Sequence, residues 1–231
     1  SVRLLHRPPP DVPAASLADR MHPAWRRLKF DEILAQQLAM RIAYRERRGK
    51  SAPRMPDKHT LTNLLVKSLP FALTRAQKKA WATIAHDLAQ PHPMRRLLQG
   101  DVGSGKTLVA ALAALQAVAN GHQVALMAPT EILAEQHYLK LAHWLEPLGV
   151  KVSWLAGSLK ARAKKAAAEA IARGETQLAI GTHALFQEGV DFQRLGLAIV
   201  DEQHRFGVAQ RLALTGKGTE PHQLMMSATP I

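Results

Sequence analysis

Apolar residues fall into two rhythms along this chain, and the change of rhythm divides it. From about residue 97 onward, short and nearly continuous apolar runs alternate with longer segments whose apolar residues return at helical spacing. The runs are Leu97-Leu98, Gln123 to Ala128, Val150 to Leu155, Gln177 to Ile180, Leu197 to Val200 and Gln223 to Met226, and each predicts a buried strand. Between them, helices are predicted over the segment carrying Leu108, Leu112 and Leu115 and closed by Asn120-Gly121, over about Glu131 to Leu145, and over about Leu159 to Arg173 behind Gly157-Ser158. Alternation of strand and helix predicts an α/β fold built on a parallel sheet flanked by helices. Upstream the pattern is helical only. Pro23 opens a helix that runs to about Arg48 before Gly49, with Leu34, Leu38 and Ile42 forming a stripe that should pack on a neighbouring surface. At ~1.5 Å per residue it would reach about 40 Å, enough to bridge two domains. Leu61 to Leu69 reads as a short helix, and Thr74 as the N-cap of another reaching about Ala89. The opening, to about Met21, holds Pro8-Pro9-Pro10 and Pro13 and reads as an extended linker.

Composition narrows the setting. The 231 residues, 47% of them hydrophobic, suffice for one large or two small domains with an ample core. No apolar run approaches the ~18 residues of a membrane span, and the first ten residues lack the apolar stretch of a signal peptide, so no membrane partner and a cytoplasmic location are expected. The absence of cysteine removes disulfides and thiolate metal sites and fits a reducing compartment. A formal net charge of +13 with only 5% aromatic residues favours a polyanion held through its backbone, nucleic acid first, although an arginine-rich proteome would give the same balance. Without an initiator Met, and with an abrupt end at Ile231, the chain reads as a segment of a longer protein.

Chemistry enters where strands end. Gly100-Asp101-Val102-Gly103-Ser104-Gly105-Lys106-Thr107 follows a strand, opens a helix, and matches the phosphate-binding pattern G-x-x-x-x-G-K-T. Its glycines let backbone N–H groups turn in on a polyphosphate at the positive end of the helix; Lys106 reaches the β- and γ-phosphates and Thr107 offers a hydroxyl to Mg2+. Asp201-Glu202 after the Leu197 to Val200 run supplies two adjacent carboxylates, one suited to holding Mg2+ through water, the other to orienting the attacking water. An acidic helix start would look similar to this pair taken alone. Gln77, in the first turn of its helix, offers the donor and acceptor that an adenine edge needs, as would any exposed glutamine in a capped helix. Thr130 and Pro129 end a strand and have the simpler reading of N-cap and strand terminator.

These motifs taken together carry a resemblance. Gly100 to Thr107, Asp201-Glu202-Gln203-His204 and Ser227-Ala228-Thr229 resemble the motif series of the superfamily two helicases and translocases. Ala128-Pro129-Thr130-Glu131, Leu133 to His137, Gly181-Thr182-His183-Ala184, the run from Asp201 to Val208 and Met226 to Ile231 are similar, more narrowly, to the RecG family of bacterial branched-DNA helicases, and the likeness extends back to His22-Pro23-Ala24. The translocase of the transcription-repair coupling factor is the alternative; it shares the glycine-rich opening but usually has Glu where this chain has Gln203. No LSGGQ-like signature of an ABC ATPase stands between the two nucleotide motifs.

The resemblance implies a P-loop, RecA-like first lobe over 60–231 that binds ATP and Mg2+, preceded over 1–59 by a helical linker from a wedge domain, with a second RecA-like lobe as its partner. It implies that Lys106, Asp201 and Glu202 are catalytic, that Phe71 and Gln77 read adenine, and that Thr107 and Asp201 hold the metal. It gives Pro129, Thr130, Gly181 and Thr182 to the DNA backbone, and DNA contact or coupling of hydrolysis to movement to Gln203, His204, Ser227, Ala228 and Thr229. Such an enzyme remodels replication forks and Holliday junctions in DNA repair and recombination, in the bacterial cytoplasm on nucleoid DNA. The competing class is a basic DNA-binding fragment whose nucleotide site never turns over.

Overall fold

The computed structural model describes residues 2–10, 12–20, 22–186, 189–202 and 220–228. They form two compact units, 1–49 and 50–231.

In the first unit the expected linker is partly helical. The middle of the opening is not extended as expected but bends back on itself, the Val12 N–H donating to the Pro9 carbonyl at 3.1 Å; the residues on either side form the single-turn helices α1 (Val2–His6) and α2 (Ala14–Ala18). α3 (Pro23–Arg48) has the predicted bounds, with proline in its first position, where a missing N–H costs nothing. Trp25 fastens its start: its indole N–H donates to the Leu17 carbonyl at 2.9 Å, and the Arg20 guanidinium lies 5.6 Å from its ring centre. The stripe expected to be packed is exposed, at 43%, 51% and 56% for Leu34, Leu38 and Ile42.

The second unit begins at Lys50, ten residues before the boundary expected at 59/60, because the segment 50–59, which holds Pro53 and Pro56, is stitched to the core. Ala52 N–H donates to the Pro91 carbonyl and Met55 N–H to the Leu88 carbonyl, each at 2.9 Å, and the Met55 side chain is fully buried. His222, also fully buried, donates from Nε2 to the Pro53 carbonyl at 2.8 Å and accepts the Met94 N–H on Nδ1 at 3.0 Å. This pairing fixes the neutral tautomer, and burial holds the ring below its ordinary pKa. Helices α4 (Leu61–Ser68) and α5 (Arg75–Leu88) come next.

Six strands then form one parallel sheet: β1 (Arg95–Gln99), β2 (Gln123–Met127), β3 (Val152–Leu155), β4 (Leu178–Gly181), β5 (Leu195–Asp201) and β6 (His222–Ser227), in the order β1-β6-β5-β2-β4-β3. Between them run α6 (Lys106–Ala119), α7 (Glu131–Leu145) and α8 (Ala161–Ala172). Side chains alternate across each strand. Val124, Leu126, Leu178, Ile180, Leu197, Ile199, Leu224 and Met226 join residues of α4 to α7 in the main core, whereas Leu155, Ala179 and Leu185 meet Ile171 of α8. α6 is buried almost all round, which explains why its apolar residues are not confined to one stripe.

This order places the ends of distant segments side by side. β6 lies between β1 and β5, so three motifs far apart in sequence share one stretch of the sheet's carboxyl edge.

Candidate functional site: the carboxyl edge of the sheet

At the end of β1 the chain turns sharply. Gly103 and Gly105 have φ of +82° and +84°, left-handed conformations that residues with a Cβ rarely take, and Gly105 is the N-cap of α6. A Cβ on Gly100 would stand 2.8 Å from Ser104 Oγ, so a larger residue there would require the Ser104 hydroxyl to turn away. Asp101 accepts from the Ser104 N–H at 3.1 Å, and Val102 projects from the tip at 90% exposure. Lys106 lies across the loop, its ammonium donating to the carbonyls of Gly100 and Asp101 at 2.5 and 2.9 Å. A cation aimed into a ring of backbone at a helix N-terminus suits a polyphosphate.

The neighbouring columns supply the carboxylates and their support. Gly100 N–H donates to the Ser227 carbonyl at 3.3 Å, tying the phosphate loop to the end of β6. Asp201 ends β5 with both oxygens engaged: Oδ1 accepts the N–H of Glu202 at 3.1 Å and Oδ2 the Nε2 of His137 at 2.7 Å. Glu202 turns out of the strand with φ of +50°, uncommon for a residue with a side chain. That turn lets its N–H donate to the Met226 carbonyl at 2.9 Å and its Oε1 accept the Ala228 N–H at 3.3 Å. Two adjacent carboxylates therefore stand in different surroundings.

The residues also fit Mg2+ carried with a nucleotide. Among the described residues no cluster of three or more His, Cys, Asp and Glu could hold a metal by itself. Magnesium bound through phosphates needs only one or two protein oxygens, and Thr107 and Asp201 offer a hydroxyl and a carboxylate.

Gln77 serves two neighbours. Its Oε1 accepts the Thr74 N–H at 2.9 Å while its own N–H donates to Thr74 Oγ1 at 3.2 Å, a reciprocal capping box for α5. Its Nε2 donates to the Ser104 carbonyl at 2.9 Å, clasping the phosphate loop. Each amide atom keeps capacity for one more hydrogen bond, so the cap and an adenine contact are compatible. Phe71, upstream of the Thr74 cap, is 52% exposed.

The residues expected at DNA lie on the next two columns. Thr130 is exposed and caps α7, accepting the Leu133 N–H at 3.3 Å; Pro129 is half-buried. Ala128 N–H donates to the Gly181 carbonyl at 3.0 Å, joining the ends of β2 and β4. Gly181 has a packing reason to be glycine, since a Cβ would come within 1.9 Å of the Leu155 carbonyl oxygen. Thr182 and Ser227 are buried, at 4% and 2% exposure. Gln203, His204 and Thr229 lie outside the described residues.

Two residues that stand in the motif runs, but to which the sequence assigned no role, take part here. Glu131, beside the Thr130 cap, accepts the Ser158 N–H at 3.0 Å, and hydrogen bonds from the Ser158 hydroxyl and N–H hold its carboxyl below the usual range. His137, the partner of Asp201, interrupts the inward row Ala134, Leu141, Leu145 of α7; a polar residue on an otherwise buried row was the available signal.

Comparison with known proteins agrees with this geometry. The chain is 54% identical over its whole length to the ATP-dependent DNA helicase RecG of Escherichia coli (strain K12) and 53% identical to that of Haemophilus influenzae, covering 34% of each of those proteins. It thus spans about a third of the length of these curated relatives. A solved structure of RecG bound to a three-way DNA junction superposes with a TM-score of 0.81 at 43% identity, over 89% of this chain and 28% of that one. The family described as DEAD/DEAH box helicase matches residues 74–231, from the capping threonine of α5 to the end. With the phosphate loop, the paired carboxylates and Ser227-Ala228 gathered on one edge of a parallel sheet, the chain belongs to the DEAD/DEAH box helicase family.

Proposed function

We propose that this chain is the nucleotide-binding lobe of an ATP-dependent DNA helicase that remodels branched DNA, forks and Holliday junctions, in bacterial DNA repair and recombination. The observation that carries the proposal is 54% identity across the entire chain to a RecG helicase, together with the motif series on one sheet edge. In this reading ATP lies against the phosphate loop, Phe71 and Gln77 contact the adenine, and Lys106 follows the charge on the β- and γ-phosphates. Thr107 and Asp201 hold Mg2+, whose charge offsets that of the phosphates. Glu202, kept in place by the Ala228 N–H, orients the attacking water, so a shift of the Ser227 to Thr229 segment alters hydrolysis directly.

The same reading places the DNA backbone along the ends of β2 and β4, at Pro129, Thr130, Gly181 and Thr182, with Gln203 and His204 in the coupling path. The net charge of +13 suits such contacts. No described helix is long and apolar enough to cross a membrane, and we place the protein on nucleoid DNA in the cytoplasm. The lobe works against a second RecA-like lobe, which brings arginine to the transferred phosphate, and with a wedge domain that grips the branch point.

Steady-state ATP turnover tests this, comparing the isolated chain with the full-length gene product on forked DNA, Holliday junctions and linear duplex. Forks and junctions should stimulate the full-length protein more than linear duplex does. The isolated chain should turn over about a thousandfold more slowly, since an arginine finger in comparable phosphoryl transfers is worth that much or more. Equal DNA-stimulated turnover by both proteins would refute the two-lobe arrangement, and turnover indifferent to branching would refute the substrate.

A further inference from the structure

The carboxyl edge has two halves. β1, β6 and β5 carry the phosphate loop and the two carboxylates; β2 and β4 carry the segments proposed to meet DNA. The halves touch where β5 pairs with β2, with Val200 opposite Met127. The His137 side chain crosses that seam: it lies two turns into α7, the helix that Thr130 caps, and its Nε2 stands 2.7 Å from Asp201 Oδ2.

We infer that His137 is a positioning residue for the nucleotide site, fixing the plane of the Asp201 carboxylate and linking the end of β2 to it through α7. This rests on the proposed reading of Asp201 as the residue that holds Mg2+. Asp201 shares the strand parity of Leu197 and Ile199, so its side chain leaves β5 on the side where α7 packs. On α7, His137 lies three residues after Ala134 and four before Leu141, which are 0% and 1% exposed, so the helix face that meets the core also delivers the imidazole. An ionised carboxylate can only accept, so His137 Nε2 carries the proton in this contact.

A carboxylate with one donor can swing about its side-chain bond. Asp201 has two, the Glu202 N–H, which Oδ1 shares with the Met226 carbonyl, and His137 on Oδ2, and together they leave its remaining lone pairs aimed in set directions. Both side chains are shielded, at 12% and 13% exposure, so water competes weakly for the bond. Partners of this kind behind a metal-binding carboxylate typically alter metal affinity or activity by about 10–100-fold when removed. A displacement of α7 by DNA at Thr130 would move the donor and, with it, the carboxylate.

The test uses the full-length gene product and two variants of similar bulk. His137→Leu removes the donor, and His137→Gln keeps an N–H. Their Mg2+ dependence of ATP turnover is compared with the affinity for an ATP analogue measured in chelator. His137→Leu should raise the Mg2+ concentration for half-maximal turnover about tenfold or more, leave metal-free nucleotide affinity unchanged, and be rescued by His137→Gln. Equal Mg2+ dependence in all three proteins, or equal impairment of both variants, would overturn the proposal, the second outcome marking His137 as packing alone. If His137→Leu does not fold, the wild-type protein still decides: the 15N resonance of His137 Nε2 should shift on adding Mg2+ with the analogue and hold still with the analogue alone. A resonance indifferent to Mg2+ would overturn it as well. Wild-type protein without Mg2+-dependent ATP turnover would instead overturn the proposed function itself.

Discussion

Asp201 and Glu202 are adjacent in sequence, yet their backbones put them in different surroundings. Asp201 finishes an extended strand with both oxygens already taken up by donors, whereas Glu202, at φ of +50°, is turned onto the Ala228 N–H. A carboxylate locked by two donors suits a metal; one resting on a neighbouring backbone segment suits water activation that responds to that segment. Glu202→Gln should therefore keep nucleotide affinity with and without Mg2+ while losing about a hundredfold or more in turnover, as for other groups that act mainly in the transition state. Asp201→Ala should weaken the Mg2+-dependent part of nucleotide binding. Nucleotide titrations in Mg2+ and in chelator decide, and variants that bind alike in both would contradict the division of roles.

Elements bring these residues together, and two small devices hold the elements in place. The capping box of α5 also clasps the phosphate loop through Gln77 and Ser104, so Thr74→Ala should cost about 1 kcal/mol, the usual worth of an N-cap. Gln77→Ala should add a loss of ATP affinity, readable by titration at a temperature where the variant is folded; unchanged affinity would confine Gln77 to capping. His222 clasps the 50–59 segment to the starts of β1 and β6 as a neutral ring. Its pKa lies below the ordinary 6.5, chiefly through burial, and that of His122 is lowered by burial and by Arg194. An unfolded chain therefore binds more protons than the folded one as pH falls below 6.5, so both histidines support the fold above that pH and progressively less below it. Thermal unfolding should show a midpoint that drops on acidification from pH 7.5 to 5.5, and His222→Gln should flatten part of the drop. A midpoint that rises over that range would reverse the account.

Most of these elements were legible in sequence. α3 and α7 have the predicted bounds, and the apolar runs became the six strands, because buried parallel strands and capped helices leave strong local patterns. Strand order was not legible, and neither were the contacts it creates: β6 beside β1, or His137 reaching Asp201 across 64 positions of sequence. That the segment 50–59 belongs with the second unit was not legible, because its anchors are scattered hydrogen bonds, that of His222 among them, and the buried Met55, which leave no periodic trace.

At the scale of the whole molecule, charge and the sheet edge act together. With a net charge of +13, binding of the chain to duplex DNA should be indifferent to sequence and fall steeply with salt, since each neutralised phosphate releases counterions. Titration across a range of salt concentrations checks this, and an affinity flat in salt would count against backbone contact. The central claim is that the edge formed by β1, β6 and β5 is an ATP-hydrolysing site that serves DNA remodelling. Lys106, which bridges the carbonyls of Gly100 and Asp101 across the phosphate loop, tests it most directly. In the full-length gene product on forked DNA, Lys106→Ala should lower steady-state ATP turnover about a hundredfold or more, the scale expected when a charged donor to the transition state is removed, with the thermal midpoint unchanged. A folded Lys106→Ala protein turning over ATP at the wild-type rate would contradict it.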